Sequence, residues 1–526
     1  MKIHIVQHDI LTLRPEDNLA WIESVLDSQA SRDALLTVFP ACTVCGAPLF
    51  AAAGQLDVQK QAQDVLQRLV ERSEHRAFIV GLPLTVQDKG LCNALVFVQN
   101  GAIRAVVTKK YLGVDEQRHF VRGEGVQVVD FHDERLAIGF YEDMKELVKG
   151  HVDRPDTVVC CGSQVFDYRK PYRIRYRMIK TVEALGASVV YVNRTGCEGP
   201  FLHAGGSMAM NAAGGLLAQL PYFEEASVTI DTQLIDTVED TRPEAVELVY
   251  KGLVCGLRDY FRKNGLWQPG LSDSPRAVLG LSGGIDSALV ATLAVDALGP
   301  QCVHGLLMPS QYSTDHSVAD AVALAQNLGM SYDIVPIKPM FDQFRTALEP
   351  VFAGRPEDVT EENLQARIRG TLVMSYANKF GALALNTTNR SEAAMGYGTL
   401  YGDSCGSLAV IADLYKTEVY ELSNWINRDS VRIPQNTIDK APSAELRPGQ
   451  KDSDSLPDYD TLDAVLGLYL DEAMCEDEIV DEGYDRQLVQ RIIRATNRNE
   501  WKRLQFAPQL KVSPMSFGLD RRWPIS

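Results

Sequence analysis

The stretch Leu281-Ser-Gly-Gly-Ile-Asp-Ser-Ala288 constrains this chain more than any other. It follows a buried-strand pattern at 277–281 and opens an apolar helix pattern at 287–298. A strand, a turn and a helix start place unpaired N–H groups at one point, which suits an anion. Gly283 and Gly284 let the backbone approach that anion closely, and Ser282 and Ser287 add hydroxyl donors. The pattern GxxxxGK[ST] is absent, so this is not the common kinase-type loop. Instead Asp286 lies inside the cradle. A carboxylate beside a phosphate repels it unless a cation bridges them, so Asp286 points to Mg²⁺ carried in with a nucleotide. The helix stops at Gly299-Pro300 and a new strand follows at 303–308. That spacing predicts a right-handed parallel crossover, with the ligand at the carboxyl ends of the strands.

A chain of 526 residues is too long for one core, and two domains are expected. The polar stretch 236–243, which contains Pro243, marks the linker and divides the chain into 1–240 and 241–526. In the first part, strands are predicted at 1–6, 35–39, 77–81, 94–98, 102–107, 136–140 and 188–192. Helices are predicted at 58–72 and 172–185. This alternation predicts a layered α/β sandwich. The second part opens with an amphipathic helix at 244–263, stopped at Asn264-Gly265.

The net charge of −17 disfavours a general nucleic-acid or anionic-membrane binder. Ten cysteines in this length do not form a disulfide framework. With no signal peptide and no long apolar run, a cytoplasmic protein with reduced thiols is expected. Cys42-Thr-Val-Cys45 is a lone CxxC with no second pair at finger-like spacing, so buried structural cysteine is the expected state. The acidic run 476–482 reads as a solvated segment.

Ser282-Gly-Gly-Ile-Asp-Ser287 resembles the pyrophosphate loop of the ATP pyrophosphatases, which adenylate a substrate and release pyrophosphate. Downstream motifs narrow the resemblance to the NAD synthetases. These are Gly256-Leu-Arg-Asp-Tyr260, Glu361-Glu-Asn-Leu-Gln-Ala-Arg-Ile-Arg-Gly370, Thr387-Thr-Asn-Arg-Ser-Glu-Ala-Ala-Met-Gly-Tyr-Gly-Thr-Leu-Tyr-Gly-Asp403, Asp413-Leu-Tyr-Lys416, Lys440-Ala-Pro-Ser-Ala-Glu-Leu446 and the tail from Phe517 to Ile525. The resemblance implies a doubly wound parallel sheet of the adenine nucleotide alpha hydrolase type. It also implies a two-step ligation, in which the carboxylate of deamido-NAD is adenylated by ATP and ammonia then displaces AMP. By family position, Ser282, Gly283, Gly284, Ile285, Asp286, Ser287 and Thr387 hold ATP. Lys416 neutralises its phosphates, Asp286 and Glu392 share Mg²⁺, and Asn363, Glu392 and Lys511 contact deamido-NAD. Asp286, Lys416 and Glu392 are thus the expected catalytic set. Thr388 stands where the family usually has Gly and Arg390 where it usually has Lys, which puts the local ATP contact in question.

The first part resembles the nitrilase-type glutaminases fused to such synthetases, an α-β-β-α sandwich. Asn18, Phe39-Pro40, Gly46, Gly81-Leu-Pro83, Asn93-Ala94, Asp115-Glu-Gln-Arg118, Tyr191-Val-Asn193 and Gly205-Gly-Ser207 carry the likeness. That family hydrolyses glutamine with a cysteine nucleophile, a glutamate base and a lysine. Here the glutamate position is Ala41 and the cysteine position is Tyr141, in Ile138-Gly-Phe-Tyr-Glu-Asp143; the lysine is Lys109 or Lys110. A phenol does not replace a thiolate near neutral pH, and alanine transfers no proton. The expectation is a pseudo-glutaminase whose synthetase uses free ammonia. Alternatives are a nucleophile relocated to Cys42, Cys45, Cys160 or Cys161, another ATP pyrophosphatase such as GMP synthetase, or a non-enzymatic nucleotide-binding scaffold. The resemblance further implies a homo-oligomer, with the octamer as the assembly the family suggests.

Overall fold

The computed structural model describes residues 1–150, 154–270, 274–443 and 445–525, so Ala444 of the 440–446 motif lies outside the described residues. The chain divides into two units, Met1–Pro243 and Glu244–Ser526. No helix among the described residues is long and apolar enough to cross a membrane.

The first unit has two six-stranded sheets. One runs, in spatial order, Ala226–Asp231, Lys2–Gln7, Leu36–Val38, Ala77–Val86, Gly90–Gln99 and Ala102–Thr108. The other runs Leu216–Gln219, Met208–Met210, Ser188–Asn193, Thr157–Gly162, Glu134–Phe140 and Gln127–Phe131. Successive residues of a strand point to opposite faces, and here both faces are covered, so the strands read as unbroken apolar runs. Ile79 joins Ile3, Ile5, Leu95, Ile138, Val159 and Val190 between the sheets. Its neighbours Phe78 and Val80 turn outward to Leu19 and Ile22 of the helix Pro15–Leu26 and Val65 and Leu69 of the helix Leu56–Glu71. On the second sheet Val158, Val189 and Tyr191 meet Ile174, Met178 and Val182 of the helix Lys170–Leu185. Pro171 near its N-terminus and Gly186, left-handed at its C-cap, bound that helix. The expected sandwich is therefore present. The hairpin 77–99 is longer than the apolar pattern predicts, because pairing continues past Pro83, opposite Asn93, to Val86, opposite Gly90.

The second unit holds one five-stranded parallel sheet in the order Ser331–Ile334, Val303–Leu307, Ala277–Gly280, Leu383–Asn386 and Leu408–Ala409. From the central strand Ala277–Gly280 the chain first adds strands on one side, then on the other. The direction reverses between that strand and Leu383–Asn386, and the loops leaving these two open side by side. The helix Ile285–Leu298 behind the first loop is buried along nearly its whole length. The acidic run is not plain solvated coil. Glu476–Asp481 is a short helix with three acids in its first turn, where the helix dipole favours them, and with Ile479 in the core.

Candidate active site

The two loops at the switch point bound a cleft of about 290 Å³. Ser282, Gly284, Ile285, Asp286, Ser287, Thr387, Glu392 and Lys416 all line it, as the sequence predicts. Ser287 Oγ donates to Gly284 O at 3.0 Å and lies 3.1 Å from Ser282 Oγ, which folds the loop back on itself. No side chain caps the helix Ile285–Leu298, so its first N–H groups stay free to meet an anion. Gly283 is held at φ +77°, and a Cβ there would sit 2.2 Å from Ser317 O. No side chain fits, so this glycine lets the loop lie against the helix Asp315–Leu328.

Three charged side chains meet at the floor. Lys416 Nζ is 2.5 Å from Asp286 Oδ2 and 3.8 Å from Glu392 Oε1. Burial, then the neighbouring charge of Asp286, hold the Glu392 carboxyl well above its ordinary value. Burial works against the Lys416 charge, but Asp286 and Glu392 outweigh it and keep the ammonium protonated. Two repelling carboxylates facing one cleft fit a divalent cation. Among the described residues no three His, Cys, Asp or Glu side chains form a complete metal cage. A cation between Asp286 and Glu392 would thus take its remaining ligands from phosphate oxygens and water, the usual habit of Mg²⁺.

Other predicted residues lie elsewhere. Asn363 Oδ1 accepts from Thr399 Oγ1 at 2.7 Å, and Lys511 donates to Ser513 O at 2.9 Å and pairs with Asp520. Neither is among the cleft-lining residues. Thr388 lines the cleft without a left-handed backbone, so its β-branch imposes no strain. Arg390 is turned away from the cleft. It is fully buried, forks onto Asp471 at 2.8 and 3.1 Å, donates to Met515 O and stacks 4.3 Å from the Tyr415 ring. It therefore fastens the C-terminal segment and does not touch a nucleotide in this cleft. Asp413 acts alongside it, accepting from Val512 N, Ser513 N and Ser516 Oγ at 2.8, 2.7 and 2.6 Å.

Sequence reasoning passed over three groups at this site. Asn389 connects Asp286 to Glu392. Asp452, more than 160 residues from the phosphate loop, accepts from Tyr397 and Tyr459 at 3.2 and 3.0 Å. Arg369 lines the cleft with Nε anchored on Met308 O at 3.0 Å, and burial pulls its guanidinium down to about 10. Arg369 lies inside the 361–370 motif, where only Asn363 was singled out.

In the first unit the two candidate lysines are placed differently. Lys109 is buried and bound by Glu116 at 2.9 Å and Glu142 at 2.7 Å, whereas Lys110 reaches out to Glu146 at 2.8 Å. Burial would raise the Glu142 carboxyl, but Lys109 holds it below its ordinary value. Ala41 is packed in the cluster between the sheets, its N–H donating to Gly162 O at 3.2 Å. The Tyr141 ring belongs to the other cluster, beneath the helix Lys170–Leu185, edge-on to Tyr191 and 4.3 Å from the Arg177 guanidinium. Burial pushes its hydroxyl up to about 12. Cys42 Sγ lies 3.8 Å from the amide oxygen of Asn93, and burial, then the charge of Glu116, push its thiol up to about 11. Burial drives Cys45 up to about 12 and raises Cys160 and Cys161 as well. These thiols are poor nucleophiles as they stand.

Comparison with known proteins agrees with this geometry. The NAD synthase family model matches residues 253–506. The glutamine-dependent NAD(+) synthetase of Synechocystis sp. is 36% identical over 96% of this chain and 94% of its own length. That of Thermotoga maritima is 35% identical over 97% of this chain and 96% of its own. Among solved structures, the glutamine-dependent NAD+ synthetase of Acinetobacter baumannii superposes with a TM-score of 0.78 at 32% identity, covering 100% of this chain and 98% of that one. The enzyme of Cytophaga hutchinsonii shares the fold, with a TM-score of 0.83 at 20% identity over 100% of this chain and 97% of that one. A cradle for phosphates at the switch point, a lysine between two carboxylates, and relatives matched over nearly the whole chain converge: the chain belongs to the glutamine-dependent NAD(+) synthetase family.

Proposed function

We propose that this NAD synthetase amidates deamido-NAD with free ammonia and that its first unit does not hydrolyse glutamine. One observation supports the nitrogen source above all others: the nucleophile and base positions are Tyr141 and Ala41, while the remaining Lys109 is already bound by two carboxylates.

In the first step a carboxylate oxygen of deamido-NAD attacks the α-phosphorus of ATP, and the bond to pyrophosphate breaks. In the second, ammonia attacks the acyl carbon of the adenylate, the carbon–oxygen bond to AMP breaks, and the nitrogen loses a proton. Adenylation is needed because a carboxylate has no adequate leaving group of its own. The loop 282–287 and the open helix start hold the departing pyrophosphate, with Ser282 and Ser287 as hydroxyl donors. Lys416 offsets the charge that accumulates in the displacement, and Thr387 borders the same phosphates. Asp286 and Glu392 would hold Mg²⁺, which would neutralise phosphate charge when bound. Asn363 and Lys511 are assigned to deamido-NAD. The protein is read as cytoplasmic and homo-oligomeric.

The test supplies ATP, Mg²⁺ and deamido-NAD with either ammonium chloride or ammonium-free glutamine. NAD forms with ammonium and not with glutamine. Glutamine-driven NAD formation with an equal yield of glutamate overturns the reading, and its loss in Cys42→Ala would assign the nucleophile to Cys42.

A further inference from the structure

Asn389 is fully buried and bound to both carboxylates at the floor of the cleft. Its Nδ2 donates to Asp286 Oδ1 at 3.0 Å, and its Oδ1 accepts from the Glu392 backbone N–H at 2.9 Å. Its own backbone N–H donates to Glu392 Oε2 at 3.3 Å. The last two bonds form the capping box of the helix Arg390–Met395. The first belongs to no cap; it crosses from one loop of the switch point to the other.

The cap fixes which way the amide faces. Oδ1 must accept from the helix N–H, so the two amide hydrogens are left for Asp286. Lys416 takes the second oxygen of that carboxylate, which leaves Asp286 gripped from both sides with lone pairs to spare on each oxygen. The Glu392 side chain is likewise tied on Oε2, with Oε1 toward Lys416. One residue thereby sets the distance between carboxylates that lie on separate loops. Among the described residues Lys416 also contacts both, but a bound cation would displace or share its charge.

We propose that Asn389 is a positioning residue that holds Asp286 and Glu392 at the separation a nucleotide-bound divalent cation requires. This rests on the reading that these two carboxylates take the metal.

The cap and the bridge are separable by substitution. Ser caps a helix about as well as Asn but has no N–H donor long enough to reach Asp286. Asn389→Ser therefore keeps the helix and removes the bridge; Asn389→Ala removes both. The probe is Mn²⁺ with α,β-methylene-ATP, its free concentration read by electron paramagnetic resonance on the full-length protein. Losing a hydrogen bond to a carboxylate is expected to weaken Mn²⁺ roughly tenfold or more in Asn389→Ser. Its melting temperature stays near wild type and its KM for deamido-NAD is unchanged. Asn389→Ala shows the same metal defect and melts lower. Wild-type Mn²⁺ affinity in Asn389→Ser overturns the inference, as does a defect confined to Asn389→Ala. Asp286→Asn is the control: if it too binds Mn²⁺ as wild type does, the metal assignment itself fails and the inference with it.

Discussion

Lys416→Met isolates the electrostatics of the cleft floor. Lys416 is 2% exposed, and its partners Asp286 and Glu392 are 18% and 16% exposed, so solvent screens the trio little. Removing one member of a buried ion pair costs about 3–5 kcal/mol, because the remaining charge stays unpaired. In a unit of this size that corresponds to a fall in Tm of roughly 6–20 °C. The loss depends on pH with a definite sign. The Glu392 carboxyl is already held above its ordinary value, by burial and by Asp286. Without the ammonium it rises further, so the native state keeps a proton that the unfolded chain has released. Stability then falls as pH climbs through that interval, by at most about 1.4 kcal/mol per unit for one proton. The wild type, whose Glu392 carboxyl is already raised, carries a slope of the same sign over a narrower pH range. The raised Lys416 contributes stability that is fully present below the ordinary lysine value and is lost only as pH rises through the higher one. Scanning calorimetry in EDTA at pH 6, 7 and 8 reads both quantities, and NAD formation by the variant falls by roughly 10²-fold or more. A variant that melts like wild type, or whose Tm deficit is the same at all three pH values, refutes the reasoning.

Three further variants test separate parts of the account. Arg390→Lys loses the fork on Asp471 and the bond to Met515 O, so calorimetry shows a loss of about 2 kcal/mol while the KM for ATP is unchanged. Gly283→Ala drives a Cβ to 2.2 Å from Ser317 O and forces the loop to shift, and isothermal titration shows ATP binding weakened tenfold or more. The double variant Ala41→Glu, Tyr141→Cys restores the family's residue types without restoring glutamate release from glutamine. Lys109 stays bound to Glu116 and Glu142, and loss of the Tyr141 ring from its cluster costs roughly 3 kcal/mol, visible as a lower Tm.

The synthetase site was legible because its parts obey local rules. A glycine pair between strand and helix, Ser282 and Ser287 five residues apart, and Asp286 in the first helical turn need only short-range geometry. The structure folds them as that pattern requires. Five strands of the first unit's first sheet were readable for the same reason, to within a residue or two at several ends, whereas ranges were predicted for only Glu134–Phe140 and Ser188–Asn193 of the second. What escaped was long-range and polar. Asn389 reads as a helix cap in sequence, and its second role depends on a loop 103 residues away. Asp452 and Arg369 reach the cleft only through tertiary packing. Arg390 misled in the opposite direction, since its neighbours in the chain line the cleft while its own side chain turns to Asp471.

The same contrast explains how the first unit packs Ala41 and Tyr141. Ala41 and Tyr141 follow neighbouring pieces of backbone but serve different cores, one between the sheets and one beneath the outer helix. Each replacement is accommodated by packing alone: a small side chain where the sheets approach, and a large ring against Tyr191 and Arg177. Lys109 could not be left alone in the same way. A buried lysine without a partner would be costly, and Glu116 and Glu142 supply that partner. The Lys109 charge is thus met by two carboxylates, and its ammonium is held in both ion pairs. Apolar packing at Ala41 and Tyr141 and charge pairing at Lys109 hold these positions in the fold of the first unit.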